Sequence, residues 1–228
     1  MKTKKDADEE QQKQMIINSS PITIRPFEES DSPAVNRILA QSFYSKIHSL
    51  TGLSEEKAVL LAEDAKIFPD RPIDGYFVAE YMGEIAGAIL LKFTGQNRPK
   101  EKIGIFPVAK KHGIFKTLKL LYGFSVLVES VRPEECYIEL LATDKKFRGK
   151  GIATALIRHA GEFAEKCGFE EFTLYVASGN PAQKLYGRLG FEVQSSYKSL
   201  ITKFIFGIDT WVYMIIPAHK PVEFKEIA

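Results

Sequence analysis

The chain has 228 residues, 45% of them hydrophobic and 26% charged, an ordinary globular composition that excludes a wholly disordered chain. Its 31 Lys and Arg stand against 29 Asp and Glu, a formal net charge of +2, which excludes the strongly basic footprint of a nucleic-acid binder. Two cysteines, Cys136 and Cys167, are too few for a secreted disulfide framework, and the scattered histidines have no partners at metal-ligand spacing, so no metal is expected.

Residues 1–19 are polar and mix both charge signs. They offer little apolar surface to offset ordering entropy and read as a disordered leader without the apolar stretch of a signal peptide. No segment reaches the roughly 18 apolar residues of a membrane span, and a cytoplasmic protein is the expectation. Residues 22–25 alternate as a short strand that Pro26 interrupts. Ser32-Pro33 reads as an N-cap with proline at the first helical position, and Val35, Ile38, Leu39 and Phe43 follow at helical spacing. A second helix is expected over residues 54–65, then a hairpin of residues 76–81 and 85–93 around the turn Met82-Gly83-Glu84.

A polar loop over 94–104 leads into a long apolar, lysine-bearing stretch at 107–130, read as one inserted helix. Residues 137–143 form a strand apolar at most positions, as expected of a central strand covered on both faces. After the connection DKKFRGKG comes a helix with Ile152, Leu156, Ala160, Phe163, Ala164 and Cys167 on one face, ended by Gly168. A strand at 172–176, a short helix opened by Asn180-Pro181 with Gln183 completing a capping-box pattern, and strands near 191–195 and 210–217 complete the chain. The order predicts a mixed α/β fold with one wide central sheet and flanking helices. It forms a single domain over residues 20–228, carrying an inserted segment at about 94–130.

The most informative stretch is Arg148-Gly149-Lys150-Gly151-Ile152-Ala153-Thr154, between a strand and a helix. Glycines let backbone approach a ligand closely. The first helical turn presents free N–H groups and the positive end of the macrodipole, so the pair is a receptor for phosphate. Arg148 and Lys150 add positive charge, and Thr154 adds a hydroxyl. The nucleotide-triphosphatase pattern fails because Gly151 follows Lys150, and the dinucleotide fingerprint fails at Thr154. By itself the loop is equally a plain glycine-rich turn.

Arg148-x-x-Gly151-x-Ala153 is similar to the [QR]-x-x-G-x-[GA] motif of the GNAT superfamily of N-acyltransferases. The run from Asn180-Pro181 through Tyr186 to Gly190-Phe191 also resembles that family's core. The resemblance extends over roughly residues 21–217 and is strongest over 136–193. It implies the acyl-CoA N-acyltransferase fold, with acetyl-CoA as co-substrate and its pyrophosphate on the N–H groups from Gly149 to Thr154. It also implies that Leu141, Ala142 and Thr143 pair with the pantetheine arm in a slot where their strand parts from the next. Tyr186 is then the acid that protonates the departing thiolate, and Asn180, a good N-cap before proline, also meets the pantetheine arm.

A neutral amine must lose a proton on acylation. Glu139, inside an apolar strand, is the candidate base, because a buried carboxylate is costly unless paired or used; the alternative is a side chain that reaches solvent or a salt bridge. The activity expected is acetyl transfer from acetyl-CoA to a primary amine by direct attack in a ternary complex. The acceptor is a small molecule or a peptide. No nucleic acid and no membrane contact are expected, and a homodimer stays open. The insert is read as a lid over the acceptor site. The alternatives are a non-catalytic CoA-binding module, and a membrane-surface or partner-binding protein that uses residues 107–130.

Overall fold

The computed structural model describes residues 21–98, 104–220 and 222; the leader expected at 1–19 lies outside the described residues. A seven-stranded sheet has the order β1-β2-β3-β4-β5-β7-β6. Its strands are β1 (Ile22–Pro26), β2 (Tyr76–Tyr81), β3 (Glu84–Lys92), β4 (Glu135–Thr143), β5 (Glu171–Ala177), β6 (Glu192–Lys198) and β7 (Thr210–Pro217). All neighbours are antiparallel except β4 and β5. A parallel pair needs a crossover, usually a helix. Here it is α6 (Ile152–Lys166), which follows α1 (Ser32–Ser42), α2 (Tyr44–Thr51), α3 (Glu55–Asp64), α4 (Ile105–His112) and α5 (Ile114–Ser125). After it come α7 (Ala182–Arg188) and α8 (Leu200–Phe206).

The sheet is covered on both faces, which is why β3 is buried without interruption from Ala86 to Leu91. On one face α6 buries Ile152, Leu156, Ile157, Ala160 and Ala164 against Ile89, Leu91, Ile138 and Leu174. On the other, Val35, Ile38 and Leu39 of α1 and Leu61 of α3 pack on Val78, Ala88, Leu90 and Ala142. The α6 helix ends at Gly168, φ 78°, with Phe169 N–H donating to Ala164 O at 3.1 Å, a left-handed terminator as the sequence predicts.

One irregularity in β4 matters for the site. Leu90 of β3 pairs with Leu140, but Leu91 pairs with Ile138, so Glu139 is an extra residue in a β-bulge. The bulge changes which side chains face which layer. Ile138 and Leu141 both pack on the α6 side, while Leu140 and Ala142 pack on the α1 side. Strict alternation would have put Leu140 with Ile138.

Several boundaries differ from the sequence reading. Residues 107–130 are not one helix. Gly113, φ 93°, donates its N–H to Ala109 O at 2.8 Å and closes α4, and α5 begins at the next residue. Two short helices, α2 and α8, lie in stretches for which the sequence predicts no element. At α1, Ser32 is already helical and Asp31 takes the cap position. Asp31 is drawn there by Arg25, whose guanidinium donates to both its oxygens at 2.7 Å and to Glu80 at 2.8 Å. Those hydrogen bonds hold the Asp31 carboxyl below the usual range and tie β1 to β2 and to the start of α1.

Gly87 is the close-approach glycine of the sheet. A Cβ there would lie 2.6 Å from Ala142 O and 3.0 Å from Ile152 Cγ2. Gly87→Ala therefore pushes on β4 and on the start of α6 together. The expected cost is about 1–3 kcal/mol, read as a fall in Tm of roughly 2–12 °C by calorimetry; an unchanged Tm would mean that β4 shifts freely.

Candidate active site

β4 and β5 pair only over Glu135–Ile138 and Glu171–Leu174. Both strands then continue with other partners, β4 to Thr143↔Gly87 and β5 to Ala177↔Trp211. They part after Ile138, and residues 139–143 keep an edge that β5 does not cover. Between them lies a cavity of about 220 Å³, bounded by Glu139 and Leu141 on one side and by Tyr175, Asn180 and Tyr186 on the other. Leu141 and Thr143 are half-buried and Ala142 is buried; of the three expected residues Leu141 lines the cavity.

The closed end of the parting is held by Glu135. It is 5% exposed, and its carboxylate accepts from the Thr173 hydroxyl on β5, the Tyr213 hydroxyl on β7 at 3.1 Å and the Arg132 N–H at 3.1 Å. The sequence argument about a costly buried carboxylate applies to this residue, and here the charge is satisfied structurally. Glu139 is different. Its side chain is 24% exposed, and Oε2 accepts from Arg98 Nη2 at 2.6 Å, so it is ion-paired. The same guanidinium donates to Leu91 O at 3.1 Å and, through Nε, to Gln96 Oε1 at 2.6 Å. Glu139 still borders the cavity, with Oε1 taking no hydrogen bond among the described residues.

At the far end of β4, the glycine-rich loop is rigidly seated. Asp144 donates its N–H to Ala86 O and accepts from Lys146 N–H, both at 2.9 Å. Lys145 bonds Glu55 of α3 at 2.6 and 2.8 Å, Lys146 pairs with Glu84, and the Phe147 ring lies 5.4 Å from that of Tyr81. Gly149 and Gly151 have φ of 78° and 82°, left-handed values that favour glycine. The first helical bond is Ala155 N–H to Gly151 O at 2.9 Å, so the N–H groups of Ile152, Ala153 and Thr154 are unused and point along the positive end of the helix. One detail corrects the sequence reading, which gave every N–H from Gly149 to Thr154 to the ligand: Lys150 N–H donates back to Phe147 O at 3.3 Å. Arg148, Gly149, Lys150 and Gly151 are exposed, whereas the Ile152 side chain is buried in the core, so only its backbone faces the loop.

Asn180 and Tyr186 frame the other wall. Asn180 Oδ1 accepts from Ala182 N–H at 2.9 Å, an Asx turn in place of the expected capping box. Tyr186 is 9% exposed and packs edge-on against Phe191, centroids 5.9 Å apart. Its hydroxyl has no hydrogen-bond partner among the described residues and borders the cavity. Burial pushes its pKa up to about 12, so the phenol keeps its proton at neutral pH.

The cavity also holds groups that the sequence reading did not single out. Lys46 of α2 enters it, half-buried, with Nζ 4.6 Å from the Phe43 ring centre; burial lowers its pKa. Glu129 accepts from the Tyr197 hydroxyl at 3.2 Å. Tyr197 and Tyr175 stack edge-on at 5.7 Å, and burial, with Glu129 nearby, pushes the Tyr197 phenol up to about 12. Lys46, Arg98 and Glu129 carry no local pattern that marks them; only folding brings them beside β4.

Comparison with known proteins agrees with this geometry. The chain is 27% identical over 169 residues to the cysteine-rich protein 2-binding protein of Mus musculus, covering 72% of this chain and 21% of that protein. It is 35% identical over 82 residues to N-alpha-acetyltransferase 30 of Schizosaccharomyces pombe, covering 36% of this chain and 53% of that one. The chain thus spans about a fifth and about half of these relatives. Its fold is similar to that of yncA from Salmonella typhimurium, solved with its cofactor acetyl-CoA, at TM-score 0.51 and 16% identity over 91% of this chain and 99% of that one. Residues 38–191, from within α1 through the loop, the parted strands and α7, match the Acetyltransferase (GNAT) family, and the chain belongs to that family of acyltransferases.

Proposed function

We propose that this chain moves an acetyl group from acetyl-CoA to a primary amine by direct attack in a ternary complex. The observation that carries the reading is the parting of β4 and β5, which leaves an unpaired strand edge between the amide-rich loop and a cavity that Tyr186 lines. The pyrophosphate sits on the free N–H groups of Gly149, Gly151 and the first turn of α6, with Arg148 and Lys150 outside it. The pantetheine arm lies along residues 141–143 as an added strand, touched by Asn180, and brings the thioester to the cavity.

The acyl carbonyl is polarised by a backbone N–H near Leu141. The amine nitrogen attacks the carbonyl carbon, the C–S bond breaks, and the amine proton passes to Glu139, directly or through one water. Arg98 orients that carboxylate and leaves Oε1 to accept. Tyr186 delivers its proton to the departing sulfur. A phenol held protonated by burial is a poor acid in the ground state but stands ready for a thiolate that forms beside it. The acceptor is the amine of a small molecule or a peptide. The free cysteines, one of them the exposed Cys167, fit a reducing compartment, and the cytoplasm is the proposed location.

The alternative, a CoA-binding module without chemistry, separates cleanly. Tyr186→Phe is expected to lower kcat by about 10²-fold or more with little change in acetyl-CoA affinity, followed by thiol release across a panel of amines. Glu139→Gln should do the same. Unaltered turnover in both, with CoA bound, would remove these residues from the mechanism.

The pH dependence has a definite sign. A tyrosine ordinarily ionises near pH 10, and raising its pKa extends the protonated form upward. The kcat should therefore show no alkaline loss from Tyr186 as pH passes through about 10; a loss there that Tyr186→Phe abolishes would contradict the assignment. Gly151→Ala forces a side chain into a left-handed backbone with no steric contact closer than 4.0 Å. Relief of that strain, about 1–2 kcal/mol, by the loop leaving the left-handed conformation must be undone on binding, so acetyl-CoA affinity should fall roughly tenfold, measurable by calorimetry.

A further inference from the structure

Away from the cleft, two segments distant in sequence build one unusual surface. Residues 104–128 and 198–208 contain no Asp or Glu, yet they hold Lys110, Lys111, Lys116, Lys119, Lys198 and Lys203. Helices α5 and α8 come from these segments and both pack on α2. Each is anchored by its inner side. On α5 the inward residues are Thr117, Leu120 and Gly123. On α8, Thr202 and Phe206 turn inward, with Trp211 Nε1 donating to Thr202 Oγ1 at 3.0 Å.

Their outer sides are apolar and unpartnered. Phe115 and Tyr122 on α5 are 78% and 62% exposed, and Leu200 and Phe204 on α8 are 81% and 93% exposed. Between the helices runs a groove of about 600 Å³ over Leu50, flanked by Lys119 and Ile201. Such residues do not stabilise the isolated fold, because an exposed ring gains no burial.

We propose that α5 and α8 form a docking surface for a phospholipid membrane with anionic headgroups. Nearly fully exposed aromatic rings project from the surface, so they suit insertion into a deformable apolar phase. A protein partner would need a preformed pocket for each. The lysines interleaved with them have long stems that keep the ammonium at headgroup level while the rings go deeper. Lys111 is taken up by Asp64 of α3, and the remaining lysines, on segments without carboxylates, are complementary to an anionic leaflet. A second copy is the poorer occupant. A two-fold contact sets the same patch against itself and brings Lys116, Lys119 and Lys203 towards their own copies. No helix among the described residues is long and apolar enough to cross a membrane, so the contact is peripheral. The proposal does not depend on the acyl-transfer reading.

The test is co-sedimentation of the full chain with vesicles of phosphatidylcholine alone and of phosphatidylcholine mixed with phosphatidylserine. Binding is expected with the anionic vesicles, weak without them, and falling as salt is raised. Phe204→Ser should lower the bound fraction roughly tenfold. Lys119→Glu, an exposed change that leaves the apolar residues in place, should lower it as well, with circular dichroism showing both variants folded. No association of the folded chain with anionic vesicles overturns the proposal, as does equal binding by the wild type and both variants. A dimer in light scattering that Phe204→Ser dissociates, without lipid binding, assigns the face to a second copy and overturns it too.

Discussion

The molecule depends on how two parallel strands stop being neighbours. For four residues β4 and β5 are hydrogen-bonded, and the buried Glu135 carboxylate fastens that closed end by joining β4 to Thr173 on β5 and Tyr213 on β7. Beyond it each strand finds its next pairing elsewhere. An unpaired strand edge inside a protein is ordinarily a fault, because buried N–H and C=O groups need partners. Here the open edge is the proposed site: in the reading above, the missing strand is supplied by the pantetheine arm, which carries amide groups of its own.

The β-bulge at Glu139 shows how one extra residue serves that arrangement. It re-aims β4 halfway along its length, so that Leu141 turns to the side where the cavity lies. A bulged residue is outside the ladder, and Glu139 uses that freedom to border the cavity while paired with Arg98. The loop at the end of β4 is held from three directions, by Ala86, Glu55 and Glu84. The amides that the proposed function assigns to the pyrophosphate are thus held in place by the fold itself, which lowers the entropic cost of capture.

The regions around this frame differ in what they owe to it. The α6 face is built from spaced apolar residues that fill one core. The α4–α5 segment and α8 are attached by a few inward residues and leave their outer sides bare. Thr202 of α8, with Val126 and Leu127 just after α5, closes one side of the cavity. One set of short helices therefore serves as wall inside and as contact surface outside.

By itself the sequence determined the elements whose signals are local. The hairpin around Met82-Gly83, the glycine-terminated α6, the Asn180-Pro181 helix start and the run from Arg148 to Thr154 are all set by neighbours a few residues apart, where φ restrictions and hydrogen-bond caps act. The place of Tyr186 in the short helix after Asn180-Pro181 was legible for the same reason; its role came only from the family resemblance. Other features were decided only by tertiary structure. The break at Gly113 is one; a glycine inside an apolar run is compatible with a continuous helix until packing chooses the left-handed φ. The short helices α2 and α8 owe their stability to the core they touch and not to propensity. Glu135, not Glu139, proved to be the buried carboxylate of β4: Glu135 lies where β4 is paired with β5, whereas Glu139 sits in a bulge that exists only where β3 and β4 are in register. Lys46 and Glu129 reach the cavity, and Arg98 reaches Glu139 at its border, from separate parts of the chain. Their roles arise from distances that close when the sheet forms, and no short-range pattern encodes such distances.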